Sequence, residues 1–153
     1  MIMQRVTEVK PRKLELEQLV NLLEGEHRKV ESDLKAVAAM IAARDQDDLG
    51  SLLQSLDEKL LQHMLDEEAS VLAILIKAYG RERSAEAIKV FREHVRIREM
   101  MTDLRKKFEG DPVKCMESRN ELESFMIEHF KKEDVRIFPL ALETQRRLKK
   151  ATV

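Results

Sequence analysis

The sequence predicts an all-α protein, an antiparallel four-helix bundle with up-down-up-down order, and three observations support this fold class. Glycine (4) and proline (3) are scarce in the 153 residues, and 37% of the residues are charged, a composition typical of long helices. Helix-breaking residues divide the chain into four segments. Each segment carries an apolar stripe with steps of three and four residues, the pattern of a bundle seam. The predicted stripes include Ile74 in the second segment, Ile88 and Phe91 in the third, and Leu140 in the fourth. This length suits one domain, so we interpret 1–153 as a single domain with its bundle at about 13–142.

Local signals mark the ends of the four segments. Pro11 precedes the first, the polar stretch 45–51 separates it from the second, Gly80 follows the second, and Gly-Asp-Pro at 110–112 separates the last two. Glycine is common just after a helix, and proline is common at the first helical position. We expect Ser51 to be the N-cap of the second helix, because serine is a favoured N-cap residue.

Pro139 lies inside the fourth segment and interrupts its helical pattern. Proline removes a backbone hydrogen-bond donor and clashes with the preceding helical turn. The fourth helix should therefore kink after Phe138, or end there and be followed by a short extra helix.

Charge, apolar runs and cysteine content exclude several classes of protein. The 28 basic and 29 acidic residues are interspersed, so no basic patch indicates a nucleic acid or an anionic membrane surface as partner. The first ten residues, MIMQRVTEVK, lack the apolar core of a signal peptide, and the longest apolar run, 71–76, is too short to span a bilayer. The lone Cys115 cannot form an internal disulfide. We expect a cytoplasmic protein.

All four histidines of the chain fall on the apolar stripes, one in each segment. Two of them are followed four residues later by a glutamate on the same helical face; the six residues are His27, His63, Glu67, His94, His129 and Glu133. A single histidine on an apolar face is more often a hydrogen-bonded core residue than a ligand. Four independent placements on a seam would coincide less than roughly one time in a hundred. The two carboxylates have no lysine or arginine at neighbouring stripe positions, so a cation is expected to bind there.

The number of donors indicates which kind of cation site this is. Residue counts from each predicted connection, at about 1.5 Å per residue, place the six side chains at compatible depths. Four imidazoles and two carboxylates are too many for one tetrahedral zinc but suit two metals bridged by both carboxylates. We expect two iron ions with a bridging oxide or hydroxide and one open position. The ferritin-type pattern needs Glu-x-x-His on two helices, and only Glu24 and His27 have that spacing here.

At these residues the chain resembles the hemerythrin-like, or HHE cation-binding, domain family. The resemblance covers about 13–142 and rests on the motifs EGEHRKV, HMLDEEASVL, EHVRIREM and HFKKEDVRIFPLA. It implies an up-down-up-down bundle and non-haem di-iron ligands at His27, His63, Glu67, His94, His129 and Glu133. It also implies binding of dioxygen, nitric oxide or peroxide at an open iron position.

One feature departs from the oxygen-carrying members of that family. They use five histidines, and this chain has four in total, so dedicated oxygen transport is not expected. Glu68 and Asp134 each follow a bridging glutamate, and either one could replace the missing donor or be solvated instead.

Other residues near the histidines suggest supporting roles. Glu26, Glu93 and Glu128 each precede a predicted ligand, and they could accept a ring N–H from a neighbouring histidine or form interhelical salt bridges. Gly25 lies inside the first helix, where glycine is about 1 kcal/mol less favourable than alanine. It indicates a space beside His27 for a ligand or for a close helix contact.

Three functions stay open at this point. The first is a di-iron protein that binds or senses a small diatomic ligand or peroxide. The second is a di-iron enzyme that acts on peroxide or nitric oxide, or that donates iron for cluster repair; no catalytic residue is assigned. The third is a structural bundle with zinc, manganese or an empty site. The oligomeric state is not predicted.

Overall fold

The computed structural model describes residues 9–151, which form an all-α bundle with no strand in that range. The predicted absence of a signal peptide rests mostly on residues 1–8, which lie outside the described residues. Two π-helical turns, named π1 and π2 here, join α2 to α3 and α5 to α6. The elements in chain order are α1 (Leu16–Ala43), α2 (Gln46–Asp66), π1 (Glu67–Leu72), α3 (Ala73–Arg83), α4 (Ala85–Lys107), α5 (Pro112–Lys132), π2 (Glu133–Ile137) and α6 (Phe138–Ala151).

The long helices pack as a closed ring of neighbours. Helix α1 contacts α2 and α5, and α4 contacts the same two helices from the other side. Beyond the π turns, α3 and α6 pack against each other, α3 also contacts α4, and α6 also contacts α1. The all-α bundle is confirmed; the up-down-up-down order and the kink after Phe138 stay predictions. No helix within the described part of the chain is long and apolar enough to cross a membrane.

The helix ends follow the expected capping chemistry, with one correction. The N-cap of α2 is Asp45, whose carboxylate accepts a hydrogen bond from the backbone N–H of Asp48. The prediction of Ser51 was wrong, because α2 begins before it and Ser51 lies inside the helix. The predicted start of α5 is confirmed: Asp111 caps the helix and Pro112 occupies its first turn, where a missing N–H removes no helical hydrogen bond.

The two π turns shift the phase of the apolar stripes. A π-helical turn holds one residue more than an α-helical turn, so every residue after it is rotated relative to the predicted stripe. After π1, Leu75 is buried in place of the predicted Ile74, which is half-buried. After π2, Ala141 is buried in place of the predicted Leu140, which is half-buried.

The start of α4 required a different correction. The predicted stripe contains Ile88 and Phe91, but the buried residues are Ala87 and Val90. Those two positions continue the alternation of three and four residues from His94 backwards. Ile88 and Phe91 precede His94 by successive steps of three residues, and two such steps in a row rotate them away from the seam.

The buried apolar side chains form two clusters on either side of the histidines. One cluster includes Val30 of α1 and Leu60 of α2, and the other includes Leu23 of α1 and Val71 of π1. His27 lies between Val30 and Leu23 on the same helical face. The polar residues therefore occupy a band across the bundle with apolar packing both above and below it.

Candidate metal centre

The six predicted site residues come together in this band, and none of them is more than 3% exposed. They form two groups of four in which the candidate ligand atoms lie within 4.8 Å of one another. The two glutamates belong to both groups. The first group also contains His27 and His63, which we call the first half-site. The second group also contains His94 and His129, which we call the second half-site. The geometry therefore could hold metal ions; the identity of the ligands as iron ligands stays a prediction.

The π turns begin at the two shared glutamates. Glu67 is the first residue of π1 and Glu133 the first residue of π2. Each lies one helical turn after a histidine, His63 or His129, so both members of a pair face the same direction. Isolated π turns are frequent at functional sites. Here the helical phase changes from each glutamate onwards. The backbone N–H of Glu67 still donates to the carbonyl oxygen of His63, and that of Glu133 to the carbonyl oxygen of His129, so each histidine and glutamate keep their α-helical spacing.

Glu67 lies between the two half-sites. Its Oε1 is 3.5 Å from Nε2 of His63, and its Oε2 is 3.1 Å from Nε2 of His94. One carboxylate therefore faces a histidine of each half-site with a different oxygen, the arrangement that a bridging carboxylate requires.

Glu133, which follows α5, also lies close to both half-sites. Its Oε1 lies 3.3 Å from Nε2 of His27 and 3.0 Å from Nε2 of His129, and its Oε2 lies 3.9 Å from Nε2 of His94. In the first half-site, Nε2 of His27 and Nε2 of His63 are 3.1 Å apart. Every histidine thus turns its Nε2 atom towards the interior.

The atoms that face this interior lack ordinary partners. Five buried side-chain atoms form no hydrogen bond of acceptable geometry: both carboxylate oxygens of Glu67, both of Glu133, and Nε2 of His94. Among the described residues, no lysine or arginine makes an ion pair with either glutamate. A buried carboxylate without a partner costs several kcal/mol. The donor set therefore fits a bound cation.

A second carboxylate fixes the far side of every histidine ring. The Nδ1–H of each ring donates to one: His27 to Asp134 (2.8 Å), His63 to Glu26 (3.1 Å), His94 to Glu68 (3.2 Å) and His129 to Glu93 (3.0 Å). A hydrogen bond at Nδ1 selects the tautomer whose Nε2 is free to bind a metal and raises its basicity. All four rings are therefore oriented as ligands would be.

These contacts sort the predicted supporting residues. The predicted hydrogen bond from a histidine ring N–H is confirmed for Glu26 and Glu93. The same prediction was wrong for Glu128, which is exposed. Glu68 and Asp134 were considered as replacements for a fifth histidine; their carboxylates instead contact the outer nitrogens of His94 and His27, and neither belongs to the groups that could hold a metal. Their position one residue after the shared glutamates in both motifs was the available signal.

The centre is built with an internal two-fold correspondence. An offset of 67 residues relates α1 to α4, and an offset of 66 residues relates α2 with π1 to α5 with π2. The corresponding pairs are His27 and His94, His63 and His129, Glu67 and Glu133, Glu26 and Glu93, and Glu68 and Asp134. The hydrogen bonds at Nδ1 obey the same correspondence.

Comparisons with known proteins do not assign the chain to a family. The chain matches no family model, and neither a curated protein nor a solved structure matches it. The resemblance to the hemerythrin-like family therefore stays a prediction, and the site is interpreted from its own geometry.

The cations around the centre break the two-fold correspondence, and sequence reasoning missed them. Arg12 forms ion pairs with Glu26 (3.0 Å) and with the fully buried Asp66 (2.6 Å). In the other half, the position corresponding to Asp66 is Lys132, which itself pairs with Glu93. The first half-site thus depends on an arginine that precedes α1, whereas the second uses a lysine from its own helix.

Without a metal, protons serve as the counter-charge. Burial by itself would lower the pKa of His63, but the carboxylates of Glu67, Glu26 and Glu133 together outweigh burial and raise the pKa to about 10. Burial is also outweighed at His94, where the carboxylates of Glu133, Glu67 and Glu68 together raise the pKa to about 11. At His129, the carboxylates of Glu133, Glu93 and Glu67 together raise the pKa to about 9. These three rings are imidazolium ions at neutral pH in the metal-free protein, and a metal would displace their protons.

Proposed function

We propose that this protein is a non-haem di-iron protein of the hemerythrin-like type that binds or senses dioxygen, nitric oxide or peroxide at an open iron position. The observation that carries the proposal is the set of five unpartnered buried atoms that face a common interior from separate helices. The six proposed ligands are His27, His63, Glu67, His94, His129 and Glu133, in an up-down-up-down bundle.

The donor set supports two ions of iron. Each group contains two imidazoles and both carboxylates, which leaves an octahedral ion with room for a small exogenous ligand. Nitrogen and oxygen donors suit the hard oxidation states of iron, and a closed tetrahedral zinc site would use a single group of four rather than two that share both acids.

The surrounding residues perform three tasks for such a centre. Bound iron would supply the vacant coordination position and the electrons for ligand binding. The outer carboxylates, such as Glu26 and Glu93, hold the imidazoles in place and increase their donor strength. The flanking apolar clusters keep bulk water out of the band and permit small uncharged molecules to enter.

Metal analysis tests the proposal directly. Protein purified under air should contain about two irons per chain and show the near-ultraviolet charge-transfer bands of a bridged di-ferric pair. Elemental analysis that finds zinc or manganese instead, or no metal even after ferrous iron is supplied, would overturn it.

Alanine variants test the ligand assignment. His63→Ala and His129→Ala should each lower both the bound iron and the melting temperature, because metal binding is coupled to folding. Val95→Ala is the matched control: Val95 follows His94 in the chain, but its residue is 58% exposed, so iron content should not change. Full iron retention in both histidine variants contradicts the assignment.

Kinetics separate a binding protein from an enzyme. A stoichiometric spectral change on addition of nitric oxide or peroxide, without turnover, supports binding or sensing. Steady consumption of either compound in the presence of an electron donor would assign the centre to catalysis instead.

A further inference from the structure

The segment just before α1, which we call the strap (residues 10–14), is fastened to α2 beside the first half-site. The backbone N–H of Arg12 donates to Oδ1 of Asp66 (2.7 Å), and its Nε donates to Oδ2 (2.6 Å). Gln62 of α2 donates to the carbonyl oxygen of Lys10 (2.9 Å) and to Oδ1 of Asp66 (3.0 Å). Both the backbone and a side chain of the strap are therefore held on α2.

Arg12 also contacts α1. Its Nη2 lies 3.0 Å from both carboxylate oxygens of Glu26, and Oε1 of the same carboxylate accepts the Nδ1–H of His63. A hydrogen bond between charged groups is roughly twice as strong as one between neutral groups. The strap is therefore connected to a proposed iron ligand through a single carboxylate.

The burial of Asp66 favours the docked position of the strap. Asp66 is fully buried, and its ion pair within the described part of the chain is with Arg12. Removal of one partner from a buried ion pair is strongly destabilising, because the other charge is left uncompensated in the interior. Arg12 thus has two separate contacts, one that neutralises Asp66 and one that holds Glu26.

The second half-site is held without a strap. The offset that relates α1 to α4 matches Arg12 with Tyr79, which supplies no positive charge. Glu93, the carboxylate that accepts the Nδ1–H of His129, pairs instead with Lys132 of α5. The cation that holds this outer carboxylate therefore comes from the same helix as the histidine.

We propose that Arg12 is a positioning residue that keeps His63 in place through Glu26, and that the strap thereby determines how firmly iron is held at the first half-site. The second half-site keeps its iron independently of the strap. The inference rests on the proposed di-iron function and adds to it an order of release: the iron held by His27 and His63 leaves first when the contact of Arg12 is broken.

The rate of iron release to a colorimetric ferrous chelator, added to the chemically reduced iron-loaded protein, tests the inference. Arg12→Met should release half of its iron about tenfold faster than the unaltered protein, the lower end of the effect expected when an orienting contact is lost, and the other half at the unaltered rate. Arg96→Met is the matched control, because Arg96 follows His94 by two residues and pairs with Glu99 at the surface. Both halves of its iron should leave at the unaltered rate.

Electron paramagnetic resonance reports the same event without kinetics. Arg12→Met that has lost half of its iron and is then oxidised should show the signal of an isolated high-spin ferric ion, because the remaining iron has lost its spin-coupled neighbour. A protein that loses both irons together would show no such signal, and this outcome contradicts the proposed order of release.

A double variant tests whether Arg12 acts through Glu26. Glu26→Gln should give the same fast phase of release as Arg12→Met. Combining the two substitutions should accelerate that phase by less than about twofold over Glu26→Gln alone, because residues that act through one contact have non-additive effects. Additive effects would show that Arg12 acts by another path, and would overturn the inference.

Arg12→Met combined with Asp66→Asn separates positioning from general stability, and it serves as the test if Arg12→Met alone folds poorly. The combination removes the uncompensated buried charge, and the amide oxygen introduced at position 66 still accepts the backbone N–H of position 12. Urea unfolding of the metal-free double variant should return towards that of the unaltered protein, whereas the fast phase of iron release should persist.

Three results overturn the inference while the di-iron function stands: a fast phase that disappears in this double variant, equal rates for both irons in Arg12→Met, or a fast phase in Arg96→Met. Absence of iron from the unaltered protein overturns the proposed function itself, so the two failures are distinguishable.

Discussion

At the scale of single residues, the chemistry of the centre depends on pairs of carboxylates with opposite tasks. Glu67 and Glu133 face the interior without hydrogen-bond partners, whereas the outer carboxylates hold histidine Nδ1 atoms. Glu93 shows the second task clearly: burial alone would raise its pKa, but hydrogen bonds from His129 and Lys132 outweigh burial and lower it to about 2. It is therefore fully ionised at neutral pH and polarises the imidazole that it contacts.

Glu93→Gln should weaken iron binding by about 10- to 100-fold, because loss of an orienting carboxylate reduces metal affinity by that order. Competition with a chelator of known affinity measures the change. Glu128→Gln is the matched control, since Glu128 also precedes a histidine on the seam but is exposed. Equal affinities in the two variants would show that the contact at Nδ1 does not act on the metal.

At the scale of the helices, the π-helical interruptions lie beside the candidate metal centre. The π turns start at the two shared glutamates, and the polypeptide beyond them packs in a new phase. Glycine is used in two distinct ways. Gly80 adopts φ 74° and ψ 168°, a region that is accessible almost only to glycine. Gly25 lies in an ordinary helical turn and lines a cleft between α1 and α2.

Alanine substitutions at these two glycines should act in opposite directions. Gly25→Ala should increase the free energy of unfolding by about 0.5–1 kcal/mol, because alanine is the better helix former and its Cβ meets no atom. Gly80→Ala should decrease it by about 1–3 kcal/mol, because the backbone conformation is strained for any L side chain. Urea unfolding of the metal-free variants measures both. A loss of stability in Gly25→Ala would show that the position is packed after all.

At the scale of the whole molecule, one band of polar groups crosses an otherwise apolar interior. The apolar clusters on both sides are large enough to hold the helices around the band, so a folded metal-free protein is expected. Its stability then depends on protons at the histidines, because these supply the positive charge that a metal would otherwise provide.

The free energy of unfolding of the metal-free protein should fall as pH rises. The pKa values of His63, His94 and His129 are raised to about 10, 11 and 9 in the folded state, against about 6.5 in an unfolded chain. A histidine whose pKa is higher in the folded state contributes its full stabilisation at pH values below the pKa of the unfolded chain. That contribution is lost as the pH rises through the pKa of the folded state.

Urea unfolding at several pH values between about 6.5 and 10 checks this expectation. The iron-loaded protein should show a shallower decline, because its ring nitrogens hold metal rather than protons, and iron affinity should increase with pH. The free energy of unfolding of metal-free His63→Asn should fall less steeply with pH, because one of the three histidines with a raised pKa is absent. A metal-free protein of constant stability over this range contradicts the assignment of imidazolium counter-charge.

Local patterns were enough to predict the helices and the position of each candidate ligand. The alternation of three and four residues places all four histidines on the seam. A four-residue spacing puts His63 and Glu67 on the same helical face, and this depends on the helix alone. The prediction lost accuracy after each π turn, as at Ile74, because a single added residue rotates everything that follows.

The sequence by itself determined the all-α class, the four apolar stripes and the six polar residues on them, because helical periodicity is a property of neighbouring residues. Only the tertiary structure decided which carboxylate holds which histidine, that Arg12 pairs with the buried Asp66, and that a cleft opens beside Gly25. Those features join residues far apart in the chain, and the relative rotation and spacing of packed helices that create them are not encoded in any local pattern.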